Sequence, residues 1–172
     1  MAFKFMIVMF LTAAVLIDAT DVTINSYRMN PGSDPDFYNQ GTLRITKKSR
    51  NLLVVSGTFL TFVNIGDDCV FEYSVHYKSP VTGNHRTILQ RQMPFCEFIN
   101  TDTLVLPKLR EVSNIVKKGE CPVPKGNYTI QNYKFELPEA LPLPTGDYVV
   151  GAQFIKDGVM KLGLEWAITV LA

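Results

Sequence analysis

The stretch that decides the fold lies near the C-terminus: Tyr148-Val149-Val150-Gly151-Ala152-Gln153-Phe154-Ile155-Lys156-Asp157-Gly158-Val159-Met160-Lys161-Leu162-Gly163-Leu164-Glu165-Trp166-Ala167-Ile168-Thr169-Val170. In its first half Tyr148, Val150, Ala152 and Phe154 alternate with Val149, Gly151 and Gln153. In its second half Met160, Leu162, Leu164, Trp166, Ile168 and Val170 alternate with Lys161, Gly163, Glu165, Ala167 and Thr169. A period of two held this long specifies strands with one apolar face. Asp157-Gly158 between them tolerates the positive φ angles of a tight hairpin turn. The segment therefore reads as an antiparallel hairpin.

The same period recurs upstream. Cys69, Phe71, Tyr73, Val75 and Tyr77 alternate with Glu72, Ser74 and His76. The turn-forming run Lys78–Asn84 follows, with Arg86–Gln92 as the hairpin partner. Residues 52–65 are apolar on both faces around Gly57, which reads as a buried or bent strand. Residues 128–137 begin with Tyr128 and Ile130 on one face and continue with Tyr133, Phe135 and Leu137 on the other. That change of phase places a bulge near Gln131-Asn132. Residues 22–29 and 42–46 are weaker strands.

One segment departs from this pattern. Between Leu104 and Lys118, the residues Val105, Leu109, Val112 and Val116 recur at helical spacing. Lys117-Lys118-Gly119 has the cations and glycine of a helix end, and Pro107 limits how early the helix begins. Pro138, Pro142 and Pro144 mark a stiff loop. About eight strands and one short helix predict an all-β antiparallel sandwich, a single domain over residues 20–172.

Residues 1–19 read differently. Lys4 is followed by an apolar run to Ile17 and then by small residues, as in a secretory signal peptide cleaved after Ala19. The run is shorter than the ~20 residues of a spanning helix, and Asp18 interrupts it. The 47% apolar content of the 172-residue chain is thus partly that of an export signal. A secreted, extracellular protein that does not span the membrane is expected, in a compartment where disulfides persist. The net charge of +1 lacks the basic excess of a nucleic-acid binder.

Three cysteines cannot all pair within one chain. Cys96 and Cys121 flank the helical segment, and a bridge between them would close a loop of about 25 residues and stabilise by roughly 3–4 kcal/mol. Cys69 is left over. It is either a buried inert thiol on the apolar face of its strand or the link of a disulfide dimer, so the chain is expected to be a monomer or a Cys69-linked dimer. Asn127-Tyr128-Thr129 is a glycosylation sequon.

Catalytic signals are weak. His76 lies on the polar face of its strand and His85 lies in a turn. Asp67-Asp68 follows Gly66 and reads as a turn. There is no Gly-X-Ser-X-Gly elbow, no His-Glu-X-X-His motif and no phosphate-cradling glycine loop. The chain is read as a non-enzyme without metal or cofactor.

Three pieces of sequence carry a resemblance. They are Cys96-Glu97-Phe98-Ile99, then Gly119-Glu120-Cys121-Pro122-Val123-Pro124-Lys125-Gly126-Asn127-Tyr128, then Leu141-Pro142 with Pro144-Thr145-Gly146-Asp147-Tyr148. In this order they resemble a family of small secreted insect proteins that includes the chemosensory CheB proteins. That family is similar to the ML lipid-recognition superfamily and the ganglioside activator protein. The resemblance spans about residues 96–172. It implies an immunoglobulin-like β-sandwich whose sheets splay apart around a lipid, with Cys96 paired to Cys121. The chain has fewer cysteines than the better-known members, which leaves a closed, side-chain-filled core as the alternative.

The inward strand faces supply the expected pocket lining: Phe71, Tyr73, Val75, Phe135, Tyr148, Phe154, Leu164 and Trp166. Rings of this kind suit either a cavity wall or a packed core. Residues 78–86 and 138–145 are rim candidates. The expected partner is an apolar small molecule or lipid, with a membrane receptor as a further one and no nucleic acid. The leading reading is a carrier or co-receptor for an apolar cue. The alternative is a protein-interaction sandwich with a filled core.

Overall fold

The computed structural model describes residues 22–49, 52–134 and 143–171. The expected signal peptide, Phe135 and most of the second rim segment lie outside the described residues. The strands are β1 (Val22–Met29), β2 (Tyr38–Asn39), β3 (Arg44–Ser49), β4 (Leu52–Thr61), β5 (Cys69–Lys78), β6 (His85–Pro94), β7 (Gly126–Tyr133), β8 (Gly146–Lys156) and β9 (Val159–Val170). Two short helices, α1 (Phe95–Thr101) and α2 (Leu106–Glu111), lie between β6 and β7.

The strands form an antiparallel sandwich. One sheet runs β1-β9-β8-β5-β6. In the other, β4 pairs with β2 and β3 at different points along its length and also with β7. The backbone of β1 approaches those of β3 and β4, α1 lies against β5 and β6, and α2 lies against β7.

The β8–β9 hairpin follows the alternation of its sequence. Tyr148 faces Ile168, Val150 faces Trp166, Ala152 faces Leu164 and Phe154 faces Leu162 across the ladder. Asp157 and Gly158 both take positive φ, as the tight turn requires. A register shift between Phe154 and Ile155 puts Met160 out of phase. Its sulfur lies beside Gly163 on the outer face rather than among the inward residues.

The expected bends are found as well. Gly57 has φ 132°, and a Cβ there would stand 2.3 Å from the carbonyl oxygen of Thr42. Only glycine lets β4 pass so close to its neighbour. The register shift at Val55/Gly57 is matched on the partner strand, where Asn132 takes φ 57°.

The helical segment is the main correction. The structure has two short helices where one was expected, and neither runs to Lys118. The Asp102 carboxylate accepts the N–H groups of Val105 (2.9 Å) and Leu106 (2.7 Å), which starts α2, with Pro107 in its first turn. The helix stops at Glu111 because the following backbone is used elsewhere. Val112 O accepts from Gln131 N, Asn114 N donates to Thr129 O, and Ser113 bridges Ile130. This extended run covers the free edge of β7, and its Ile115 and Val116 pack against the core. Helix α1 was not expected. It buries Phe95 and Ile99, and Asp67 accepts the N–H of Cys96 near its start.

Candidate functional site

The interior divides into two apolar clusters. One contains Phe71, Phe95, Ile99, Tyr38 and Tyr128, with Tyr73, Phe154 and Leu164 packed against it. The other contains Val75, Tyr148, Ile168 and Val170. Trp166 packs against both. The structure therefore brings Phe71, Tyr73, Phe154, Leu164 and Trp166 to one side of the interior and Val75 and Tyr148 to the other.

The two sides differ in how tightly they close. Next to α1 the rings of Phe71, Phe95, Phe98 and Phe154 form a filled aromatic cluster, with the Phe71 and Phe98 centroids 4.0 Å apart. In the middle of the large sheet the closure is incomplete. Tyr73, Val150, Leu164 and Trp166 face inward but are only half-buried. Residues above and below them on the same strands, among them Tyr148, Ile168 and Leu162, are buried.

Two tyrosines hold the strand starts in place by the same device. Tyr128 donates its hydroxyl to Pro124 O at 2.5 Å, and Tyr148 donates to Pro144 O at 2.5 Å. Both sit in a Pro-X-Gly-X-Tyr stretch, Pro124–Tyr128 and Pro144–Tyr148. Burial raises both phenols above their ordinary pKa. The spacing was visible in the sequence, but the hydrogen bond that gives it a purpose was not.

Cys96 and Cys121 form a disulfide with Cα atoms 5.6 Å apart, tying α1 to the approach of β7. Cys69 is free and 1% exposed. Burial pushes its thiol up to about 11, with the Asp68 carboxylate adding to the shift. This corrects the dimer alternative: a thiol sealed in the core offers no sulfur to a second chain. Asn127 is exposed on β7.

The outer face of the large sheet is polar. His76 lies there, 2.9 Å from the Ser74 hydroxyl and 3.1 Å from that of Thr87. Two depressions open on this face, of about 80 Å³ and about 400 Å³. The larger is lined by Arg28, Lys78, His85, Asp147 and Glu165 among others. Arg28 pairs with Glu165, so much of this charge is already neutralised. The smaller depression is lined in part by Leu164 and the larger in part by Tyr148 and Ile168, and neither is lined by Tyr73, Phe154 or Trp166. Among the described residues, no group of three or more His, Cys, Asp or Glu side chains could hold a metal ion. Among them, too, no helix is long and apolar enough to cross a membrane.

Residues 71–150 match the family model described as protein of unknown function, DUF1091. The DUF1091 match begins inside β5 and ends inside β8, so it takes in Phe71, Phe95 and Phe98 of the aromatic cluster but not Phe154, together with the disulfide and both Pro-X-Gly-X-Tyr stretches. It excludes β1 to β4 and all of β9, which carries Trp166. No curated protein matches the chain.

Proposed function

We propose that the protein is a secreted binding protein for a lipid or other apolar small molecule, serving as a carrier or co-receptor in chemosensation. The observation that carries this reading is the half-buried, inward-facing surface of Tyr73, Leu164 and Trp166 at mid-sheet. A sandwich closed by its own side chains would bury these positions as it buries their neighbours. Apolar surface left open inside a fold gains free energy when an apolar molecule covers it. At ~0.8 kcal/mol per methylene, a twelve-carbon chain offers roughly 10 kcal/mol before the cost of association. DUF1091 is an ML-like family, in line with lipid recognition.

Export is part of the proposal. The leader-like residues 1–19 and the Cys96–Cys121 bridge both suit an oxidising compartment. Asn127 is then open to a glycan. We read the protein as a binder rather than an enzyme, since His76 and His85 stand away from the inward apolar surface.

The packed rings of Phe71, Phe95, Phe98 and Phe154 favour a second reading, a protein-interaction sandwich with a filled core. Mass spectrometry of the organic extract of the purified secreted protein separates the two. The carrier reading expects a stoichiometric apolar molecule and displacement of a bound fluorescent fatty-acid probe. Finding neither would leave the filled sandwich.

A further inference from the structure

Among the described residues, one buried side-chain oxygen, the Tyr27 hydroxyl, has no partner at full hydrogen-bonding geometry. Tyr27 stands on β1 opposite Trp166 of β9, with ring centroids 5.7 Å apart. Facing it from the other sheet is Tyr38 on β2, which is 6% exposed and packs on Phe59. The Tyr27 and Tyr38 hydroxyls approach each other closely enough for a weak, poorly aligned hydrogen bond, and burial raises both phenols. They therefore stay neutral donors at physiological pH.

The contrast with the other buried tyrosines matters. Tyr128 and Tyr148 each reach a proline carbonyl. Folded proteins leave few buried hydroxyls unpaired, because an unmade hydrogen bond there costs stability. At Tyr27 that cost is borne beside the half-buried Trp166.

We propose that the Tyr27 hydroxyl, with Tyr38 beside it, is the hydrogen-bonding contact for the polar end of an apolar ligand bearing one neutral oxygen: an ester, ketone, aldehyde or alcohol. This rests on the carrier reading above and names the ligand class for it. The neutrality follows from the surroundings. Arg28, the next residue along β1, turns to the outer face and pairs with Glu165. Lys161 pairs with Asp34 at 3.0 Å. Tyr27 and Tyr38 offer hydroxyls and no countercharge, and an ionised carboxylate buried without one is strongly disfavoured.

The test compares dodecyl acetate, tetradecane and laurate as competitors of a fluorescent apolar probe, on wild-type protein, Tyr27→Phe and Tyr38→Phe. For Tyr27→Phe the expected result is a loss of about tenfold in dodecyl acetate affinity, the worth of one hydrogen bond. Tetradecane affinity should be unchanged, and the melting temperature of the ligand-free protein should not fall. Tyr38→Phe should weaken dodecyl acetate in the same selective way. Equal losses for dodecyl acetate and tetradecane would mean that the hydroxyl acts only through packing, and would overturn the proposal. Wild-type binding left unchanged in Tyr27→Phe, or laurate binding tighter than dodecyl acetate, would also overturn it. If the wild type binds none of the three, the carrier reading falls first and takes this inference with it.

Discussion

Cys69 opens its strand with a thiol that water scarcely reaches. Its sequence position on the apolar face already pointed to burial, and its burial removes it as a dimer link. The folded thiol is held up at about 11, while an unfolded cysteine ionises near ~8.5. A pKa raised by folding contributes stability that is complete below the unfolded value and is lost as pH rises toward the folded one. Thermal stability should therefore decline between about pH 9 and 11 by an amount that Cys69→Ala abolishes. At neutral pH, iodoacetamide should leave the native protein unlabelled and label it once denatured. The two tyrosine-to-proline hydrogen bonds act at the same scale. Tyr148→Phe keeps the ring but strands the Pro144 carbonyl, and a loss of ~1–2 kcal/mol is expected in denaturant unfolding.

At the scale of elements, what could be read from the sequence followed the period of burial. Strands β5, β8 and β9 each bury one face, so their alternation was plain. Gly57 and Gln131-Asn132 announced a bend because apolar residues changed sides there. The helices were harder. In α1, Phe95, Phe98 and Ile99 have helical spacing, but seven residues are too few for a period to declare itself. Beyond α2 the spacing of Val112 and Val116 continues as if helical, yet that backbone pairs with β7 and only Ile115 and Val116 pack against the core, partly buried. Competition from a sheet edge is a tertiary fact and leaves no local trace. The bend itself is testable. Gly57→Ala would drive a Cβ into the Thr42 carbonyl on a backbone at φ 132°. It should destabilise by more than ~1 kcal/mol, the ordinary cost of a misplaced Gly/Ala exchange.

For the whole molecule, charge and apolar surface are segregated. Ion pairs decorate the outside: Lys161–Asp34 at 3.0 Å, Lys156–Asp68 at 2.6 Å, and Arg28–Glu165. Hydrogen bonds from their lysine partners hold the Asp34 and Asp68 carboxyls below the usual carboxylate range. A depressed folded pKa contributes stability that is present above the unfolded value near ~4 and is lost as pH falls below it. Asp34→Asn should therefore lower the melting temperature slightly at neutral pH and flatten the acid limb between about pH 2 and 5, so that the two proteins converge at low pH. Inside, alternation identified which residues face inward, including Phe71, Tyr148 and Trp166. It could not say that they divide into two clusters, or that the middle of the sheet closes less tightly than its ends. That depends on how two sheets approach each other, which no single strand records.

Trp166 is the chain's sole tryptophan, and it sits where the two clusters meet. Its emission therefore reports directly on the inter-sheet surface. The decisive measurement is a titration of the protein with a bromine-labelled long-chain ester, following tryptophan fluorescence. A molecule lodged between the sheets should quench Trp166 saturably at one equivalent, and unlabelled ester should reverse the quenching. Quenching that never saturates, or that matches that of free tryptophan in the same solution, would contradict a ligand-binding interior.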